Sequence, residues 1–303
     1  TLSIITKVFS PKSISISLTS SSFKFRNFIF VQTPSMFNFK FLSVLISISI
    51  LLSCSSDDMD DTQSNKDYFP LTVDNSWDYT SVTSTNGDSQ NNEETLTLTD
   101  NEMINDTLFF DASSTTNLNL TTTGILSSGK LFKKGGKLQL KSQLNDFLNA
   151  LPAGISLPVK ANTIPIYDKN AGSEAELFRE SGSFSQDFNG LEINVEFALS
   201  SQNTGASNTM EVNGTTYNDV LSSSIKLSMQ ITATPSGLPV TVPLLEQQDV
   251  LTATHHFANE TGMIKSEVTT SFNFEDLSEV GIDLPDVNVN TLQQLESTNV
   301  VLP

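Results

Sequence analysis

Cys54 is the single cysteine of the chain, and its thiolate is the softest nucleophile among the side chains. One sulfur excludes a disulfide framework and cannot supply the paired thiolates of a structural zinc site. The two histidines, His255 and His256, are neighbours on a predicted strand. They point to opposite faces and do not chelate one ion together, so one buried and one polar-face imidazole is the better reading. Glu192 and Glu196 share a strand face, but four residues of strand separate them by about 13 Å. Glycosidase carboxylates stand roughly 5 to 9.5 Å apart, and a solvated face accounts for both. Asp57, Asp58, Asp60 and Asp61 lack the turn glycine and spaced oxygen ligands of an EF-hand loop. Neither a phosphate-cradling glycine loop nor a nucleophile elbow is present. No catalytic residue, metal site or cofactor is expected, and a carboxylate-dependent glycoside hydrolase is the weakest functional reading.

The residues around Cys54 say more. Residues 36–40 form a short start with one positive charge, Lys40, and residues 41–52 are an apolar or hydroxylated run. A bilayer-spanning helix needs about 20 residues, so this run matches the core of a signal peptide. The rival reading, a cysteine buried at the end of a hydrophobic helix, leaves those flanking signals unexplained. Residues 1–35 carry Lys7, Lys12, Lys24 and Arg26 and no acid. They read as translated upstream sequence ahead of a start at Met36, the alternative being an extended leader. The expected organisation is a signal peptide at 36–53, an acidic tether at 54–67, a single antiparallel β domain at 68–275 and a C-terminal tail at 276–303.

Charge narrows the partners. Sixteen Lys and Arg stand against thirty-four Asp and Glu, a formal net charge of -18. That balance repels phosphate backbones, no basic stripe is apparent, and nucleic acid is excluded as a partner. Residues 1–53 hold five basic residues and no acid, so their removal leaves side chains at -23.

Beyond residue 75 the sequence reads as strands and turns. Residues 76–82 alternate aromatic with polar and residues 95–99 alternate β-branched with apolar, the two-residue period of a half-buried strand. Gly135-Gly136 and the pairs Asn189-Gly190 and Asn213-Gly214 suit tight hairpin turns that need positive φ. Leu191, Ile193, Val195, Phe197 and Leu199 hold one face, as do Ile225, Leu227, Met229 and Ile231, and a further strand runs over 263–274. Leu144, Phe147, Leu148 and Leu151 fall at helical spacing between Ser142 and Pro152, predicting one short helix. Residues 278–296 read as coil or a short tail helix. An all-β fold is expected: a strongly curved antiparallel sheet or half-barrel with one dry side, the alternative being a β-sandwich. Trp77 and Tyr79 share a face and are weak candidates for a binding platform; a core role is the better reading, since a lone tryptophan argues against a carbohydrate module.

Leu51-Leu52-Ser53-Cys54 resembles the lipobox of bacterial lipoproteins, with Leu three before the cysteine and a small residue directly before it. The resemblance implies that a diacylglycerol alkylates Cys54, that the signal is cleaved before it and that the new amine is acylated. The following Ser55-Ser56-Asp57-Asp58-Met59-Asp60-Asp61 resembles the acidic export signal of Bacteroidota surface lipoproteins. A solvated acidic spacer is the plainer alternative, and like charges keep the segment extended either way. Tyr68-Phe69-Pro70-Leu71, followed by Trp77-Asp78-Tyr79, is similar to an opening pattern of such lipoproteins, which commonly has Gly where this chain has Asp74. The run from His256 through Gly262 to Glu267 is similar to their closing hairpin. Asp106-Thr107-Leu108 looks like the short O-glycosylation acceptor of Bacteroidota, but triplets this short occur by chance and a plain turn is the better reading. The resemblance implies a curved antiparallel sheet like that of lipoprotein-carrier half-barrels and supplies no activity.

These readings imply a non-enzymatic, lipid-anchored envelope protein held by acylated Cys54, on the outer membrane and surface-exposed, the alternative being the periplasmic face. Its expected partners are the membrane, the lipoprotein processing and export machinery, and an apolar or amphipathic ligand or protein partner bound in the curved sheet. The alternative is a structural or adhesive surface domain that makes contacts through its outer faces, which a side-chain-filled interior would favour.

Overall fold

The computed structural model describes residues 65–115, 121–142, 157–188, 191–234, 241–276 and 284–303, all within the compact unit Met59–Pro303. Its elements are β1 (Ser76–Thr85), β2 (Asp88–Ile104), β3 (Thr107–Ser114), α1 (Thr122–Ser127), β4 (Lys130–Lys134), β5 (Lys137–Lys141), β6 (Thr163–Asp168), β7 (Glu176–Phe188), β8 (Leu191–Val212), β9 (Thr215–Thr234), β10 (Val242–Ala258), β11 (Gly262–Phe272) and β12 (Val287–Asn299). All twelve strands form one sheet in the order β6-β5-β4-β3-β2-β1-β12-β11-β10-β9-β8-β7. The expected all-β, strongly curved antiparallel sheet is what forms; it is one sheet rather than a sandwich of two.

The order places β1 beside β12 and leaves β6 and β7, consecutive in the chain, at its two ends. Exposed strand ends carry unpaired N–H and C=O groups that invite foreign strands. Here the ends come together and side chains join them. The Asn203 amide on β8 accepts from Asp168 N at 3.1 Å and donates to Asp168 O at 2.7 Å and to Ala171 O at 3.0 Å. Glu180 on β7 accepts from Lys160 N at 2.7 Å and Ala161 N at 2.8 Å, just before β6. The sheet is thereby a nearly closed barrel.

Alternation fixes which side chains fill it. On β8, Ile193, Val195, Phe197, Leu199, Ser201 and Asn203 are buried in turn, and on β1 Trp77, Tyr79 and Ser81 are. Residues 68–71 close one end: Phe69 stacks on Trp77 at 4.6 Å and meets Phe257 edge-on at 6.1 Å, while Tyr68 packs on Tyr167 at 6.1 Å. Buried Asn75 donates to Pro70 O at 3.0 Å and Val301 O at 3.2 Å and accepts from Val301 N at 2.8 Å, tying this plug to the strand of chain after β12. Asp74, which stands where the resembling pattern has glycine, adopts φ +72°. That is the left-handed region, which Asp tolerates better than most residues.

Two differences from the sequence reading have physical causes. Residues 278–296 were expected as coil or helix, yet Val287–Asn299 is β12, paired with both β1 and β11. Two of its three buried positions are the polar Thr291 and Gln293, so no apolar period marks it. The helix α1 is too short for a helical period to show; Thr121 caps it by accepting from Gly124 N at 3.1 Å. The helix expected after Ser142 lies outside the described residues. Of the expected hairpins, Asn213-Gly214 has φ of +48° and +76° and Gly135-Gly136 has +62° and +85°. Asn189-Gly190 lies outside the described residues, although Phe188 pairs with Leu191 across it.

Two substitutions test this architecture. A Cβ at Gly262, where φ is +109°, would fall 2.5 Å from Trp77 Nε1, which donates to Thr261 O at 2.6 Å. Gly262→Ala should cost about 2 to 4 kcal/mol in urea unfolding, combining overpacking with backbone strain. Asn203→Ala should cost about 1 to 3 kcal/mol by stranding buried backbone groups. It should also speed amide exchange in β6 and β7 ahead of β1 and β12; uniform acceleration would refute a seam.

Candidate functional site

Side chains fill the expected concavity of the sheet. Trp77 and Tyr79 are 0% and 1% exposed, and Tyr79 Oη donates to Met263 O at 2.9 Å. Burial pushes the Tyr79 hydroxyl well above the usual tyrosine range, with Glu94 adding to it. Neither ring offers a face to solvent, so both take the core role that competed with a binding platform. Cys54, Ser55, Ser56, Asp57, Asp58, Asp60 and Asp61 lie outside the described residues. Glu192 and Glu196 are exposed on the outer face of β8, and Asp106 sits at φ +61° in the β2–β3 turn.

Midway along the barrel the inward residues are polar. Direct cross-strand partners run Asn203, Ser223, His255, Ser266, Gln293 and Ser81 across β8, β9, β10, β11, β12 and β1. All six are buried. Helix α1 docks on this row from inside. Thr122 N donates to Gln293 Oε1 at 2.7 Å, and the Thr122 and Ser266 hydroxyls bond to each other. Glu94 Oε2 accepts from Gln293 Nε2 at 2.8 Å and from the Thr123 hydroxyl. Toward residue 65 the layer is aromatic, and on the other side it is aliphatic, with Leu199, Ile225, Leu227, Leu251 and Val268 all buried.

The two histidines separate as the strand period requires. His256 faces outward, half-buried, with Ser222 Oγ at 2.8 Å from its Nδ1. His255 is 1% exposed in the polar row, and neither ring nitrogen has a hydrogen-bond partner among the described residues. Burial, with His256 adding to it, pushes the His255 imidazole down to about 3. It is a neutral base inside the barrel and does not share a ligand with His256.

A second feature escaped the sequence reading. Lys66, Lys133, Lys134 and Lys169 line a cleft of about 400 Å³ together with Asp67 and Tyr167. Asp67 pairs with Lys133, Lys66 pairs with Asp219 at 2.8 Å, and Lys169 Nζ donates to Lys66 O at 2.9 Å. Burial first, and then the Lys169 ammonium, holds Lys133 below the ordinary lysine range although Asp67 pulls the other way. The cleft lies where residues 65–67 meet the β4–β5 tip and the end of β6, and Glu260 N, in the β10–β11 turn, donates to Asp67 O at 2.6 Å. Its lysines come from three distant stretches of sequence, so no linear motif announces it.

The geometry defines a class: an up-and-down antiparallel barrel with a packed interior. Two solved structures are similar to the chain. One is a "putative lipoprotein" of Parabacteroides distasonis, with 10% identity and a TM-score of 0.33, covering 76% of this chain and 99% of that one. The other is a "putative exported protein with YmcC-like fold" of Bacteroides fragilis, with 12% identity and a TM-score of 0.31, covering 77% and 98%. A likeness at this level does not extend to activity or partner. No protein-family model and no curated protein sequence matches the chain.

The buried imidazole gives a pH dependence with a definite sign. His255 stays neutral in the fold down to about pH 3, from an ordinary value of 6.5. Between those values the unfolded chain binds the extra proton, so stability falls as pH drops from 6.5 toward 3, and above 6.5 the group contributes no slope. By pH 5 its share of the loss is on the order of 2 kcal/mol. In chemical denaturation at pH 7.5 and 5.0, His255→Gln should lose less stability than the parent over that interval by that amount. Equal losses would refute the buried, unprotonated state.

Proposed function

We propose that the chain is a lipid-anchored, non-enzymatic protein of the bacterial cell envelope whose barrel is a rigid body that meets partners through its outer faces and ends. The single observation that carries the second half is the packed interior, from Phe69, Trp77 and Phe257 through the polar row to Leu227 and Leu251. That packing favours outward contacts over an apolar ligand held in the concavity. The anchoring half rests on the sequence around Cys54: the apolar run, the lipobox-like Leu51-Leu52-Ser53 and the acidic residues that follow. Two or three acyl chains, at about 0.8 kcal/mol per buried methylene, would hold the barrel to a bilayer without crossing it. Outer-membrane and surface location follow from the likeness of residues 55–61 to an export signal. Among the described residues the buried acids are Glu94 and Asp168. Glu94 is bound to Gln293 and Thr123, and Asp168 Oδ1 accepts from Asn170 N at 2.9 Å, which supports structural roles for both.

Metabolic labelling with a palmitate analogue in a Bacteroidota host tests the anchor. The parent should carry label and partition with membranes, and Cys54→Ser should lose both. Replacing Asp57, Asp58, Asp60 and Asp61 with Asn should leave the label and protect the protein from protease added to intact cells. Unlabelled parent with the leader still attached would overturn the anchor, and a parent resistant to the protease would overturn the surface location.

A further inference from the structure

We propose that the cleft lined by Lys66, Lys133, Lys134 and Lys169 is an anion site that takes a phosphate ester, supplied either by the headgroup of an anionic lipid or by a soluble phosphate compound. The site stands on the geometry alone; the lipid source rests also on the anchored reading of Cys54.

Charge segregation is the first argument. The chain carries a formal -18, and only eleven Lys and Arg follow Cys54. Five of them, Lys130, Lys133, Lys134, Lys137 and Lys141, sit on the single β4–β5 hairpin. Lys66 and Lys169 are brought to its tip by residues 65–67 and the turn after β6. Among the described residues, Asp67 and Asp219 are the carboxylates paired with lysines of the cleft, at Lys133 and Lys66. The cleft is a positive spot on an acidic body, and a low-dielectric wall focuses such a field.

Size and chemistry agree. A volume of about 400 Å³ lies within the range of small-ligand sites and suits a glycerol phosphate headgroup. Lysine binds phosphate as a mobile point charge with three donors, and several together suit a tetrahedral anion better than a planar carboxylate. Lys133 and Lys169 are already close enough for one ammonium to disfavour the other. A bound anion relieves that crowding.

Position favours a headgroup as the source. Asn65 lines the cleft and lies eleven residues after Cys54, and a chain of that length reaches at most about 40 Å. Acylation at Cys54 would therefore hold the cleft within reach of the lipid surface, whose anionic headgroups attract basic side chains.

Lysine labelling by reductive methylation, read by mass spectrometry on the purified full chain, tests this. Three additions are compared at constant ionic strength: glycerol phosphate, vesicles of phosphatidylcholine, and vesicles of phosphatidylcholine with phosphatidylglycerol. Lys133, Lys134 and Lys169 should be protected about fivefold at saturating ligand, while Lys226 and Lys265 keep their rates. Protection by glycerol phosphate establishes the site, and protection by phosphatidylglycerol vesicles but not by phosphatidylcholine assigns a lipid source. Lys134→Gln with Lys169→Gln should remove the effect while leaving the unfolding midpoint within about 2 °C. Protection by neither phosphate form overturns the proposal. So does equal protection by chloride, or a rise in labelling without ligand when Asp57, Asp58, Asp60 and Asp61 become Asn, which would make the chain's own acidic run the occupant. If the protein purified from a Bacteroidota host proves unacylated at Cys54 while glycerol phosphate still protects the three lysines, the anchored reading fails and the site stands.

Discussion

A sheet that curls through twelve strands has one junction where the chain supplies no hairpin and no terminal pairing, and the fold depends on how that junction is sealed. Here it falls between β6 and β7, in the middle of the sequence. Asn203 seals it by imitating a peptide: its amide takes one N–H and gives to one C=O of Asp168, the pattern of a ladder pair, and reaches Ala171 as well. Glu180 adds a clamp that only accepts: its two carboxylate oxygens take the N–H groups of Lys160 and Ala161, in the backbone that leads into β6. The two walls that meet at this seam are unequal. From β3 to β6 the strands have eight, five, five and six residues, whereas β8 and β9 have twenty-two and twenty. Long strands cannot pair along their length with short ones, so side-chain bonds over a few residues replace a continuous ladder. The short wall also leaves the β4–β5 tip beside residues 66–67, which is how lysines from separate segments come to share one cleft.

The polar row inside the barrel has a different consequence. Burying hydroxyls, two amides, an imidazole and a carboxylate costs free energy wherever a partner is missing, and Glu94 Oε1, the Ser81 and Ser223 hydroxyls and both His255 nitrogens lack one among the described residues. An all-apolar layer would be more stable by that measure. What the row supplies is register. A slip of one residue turns every inward side chain outward, and a strand whose inward face is as uniformly apolar as that of β9 between Ile225 and Ile231 would tolerate a slip of two residues with little loss. Pairing Ser266 with Thr122, and Gln293 with both Thr122 and Glu94, is possible in one alignment only. Helix α1 thereby reads the alignment of β2, β11 and β12 together.

The same physics decides how much of this was legible in the sequence. β8 and β9 announce themselves because apolar residues recur at every second position over a long run, and the β4–β5 and β8–β9 turns because glycine stands where φ is positive. β12 stays hidden because it faces the polar row, and its inward Thr291 and Gln293 look like the residues of a loop. Helix α1 stays hidden because six residues are too few to show a period, and its Thr122 and Thr123 serve Ser266, Gln293 and Glu94 rather than an apolar stripe. Trp77 and Tyr79 were legible as one strand face, but only the plug formed by Tyr68 and Phe69 shows why that face is dry. The lysine cleft was the least legible, since residues 66, 133–134 and 169 are joined by topology alone.

Net charge and local charge act over different distances in such a molecule. From Cys54 onward the side chains sum to a formal -23, and such a body is repelled as a whole from an anionic surface, but at physiological ionic strength that repulsion fades beyond about 8 Å. Free in solution, the protein would stay away from anionic bilayers. Held to a surface by a short chain, it can no longer escape, and orientation is then decided by whichever charges lie within a screening length. A lysine-rich end beside residue 65 and an acidic remainder make one orientation favourable: the β4–β5 tip toward the bilayer and the outer faces of the long strands β8 to β10 away from it. On the proposed attachment at Cys54, the tether would convert a molecule that avoids anionic membranes into one that stands on them in a defined pose, and the opposed signs of the lysine-rich tip and the rest of the body would make that pose specific.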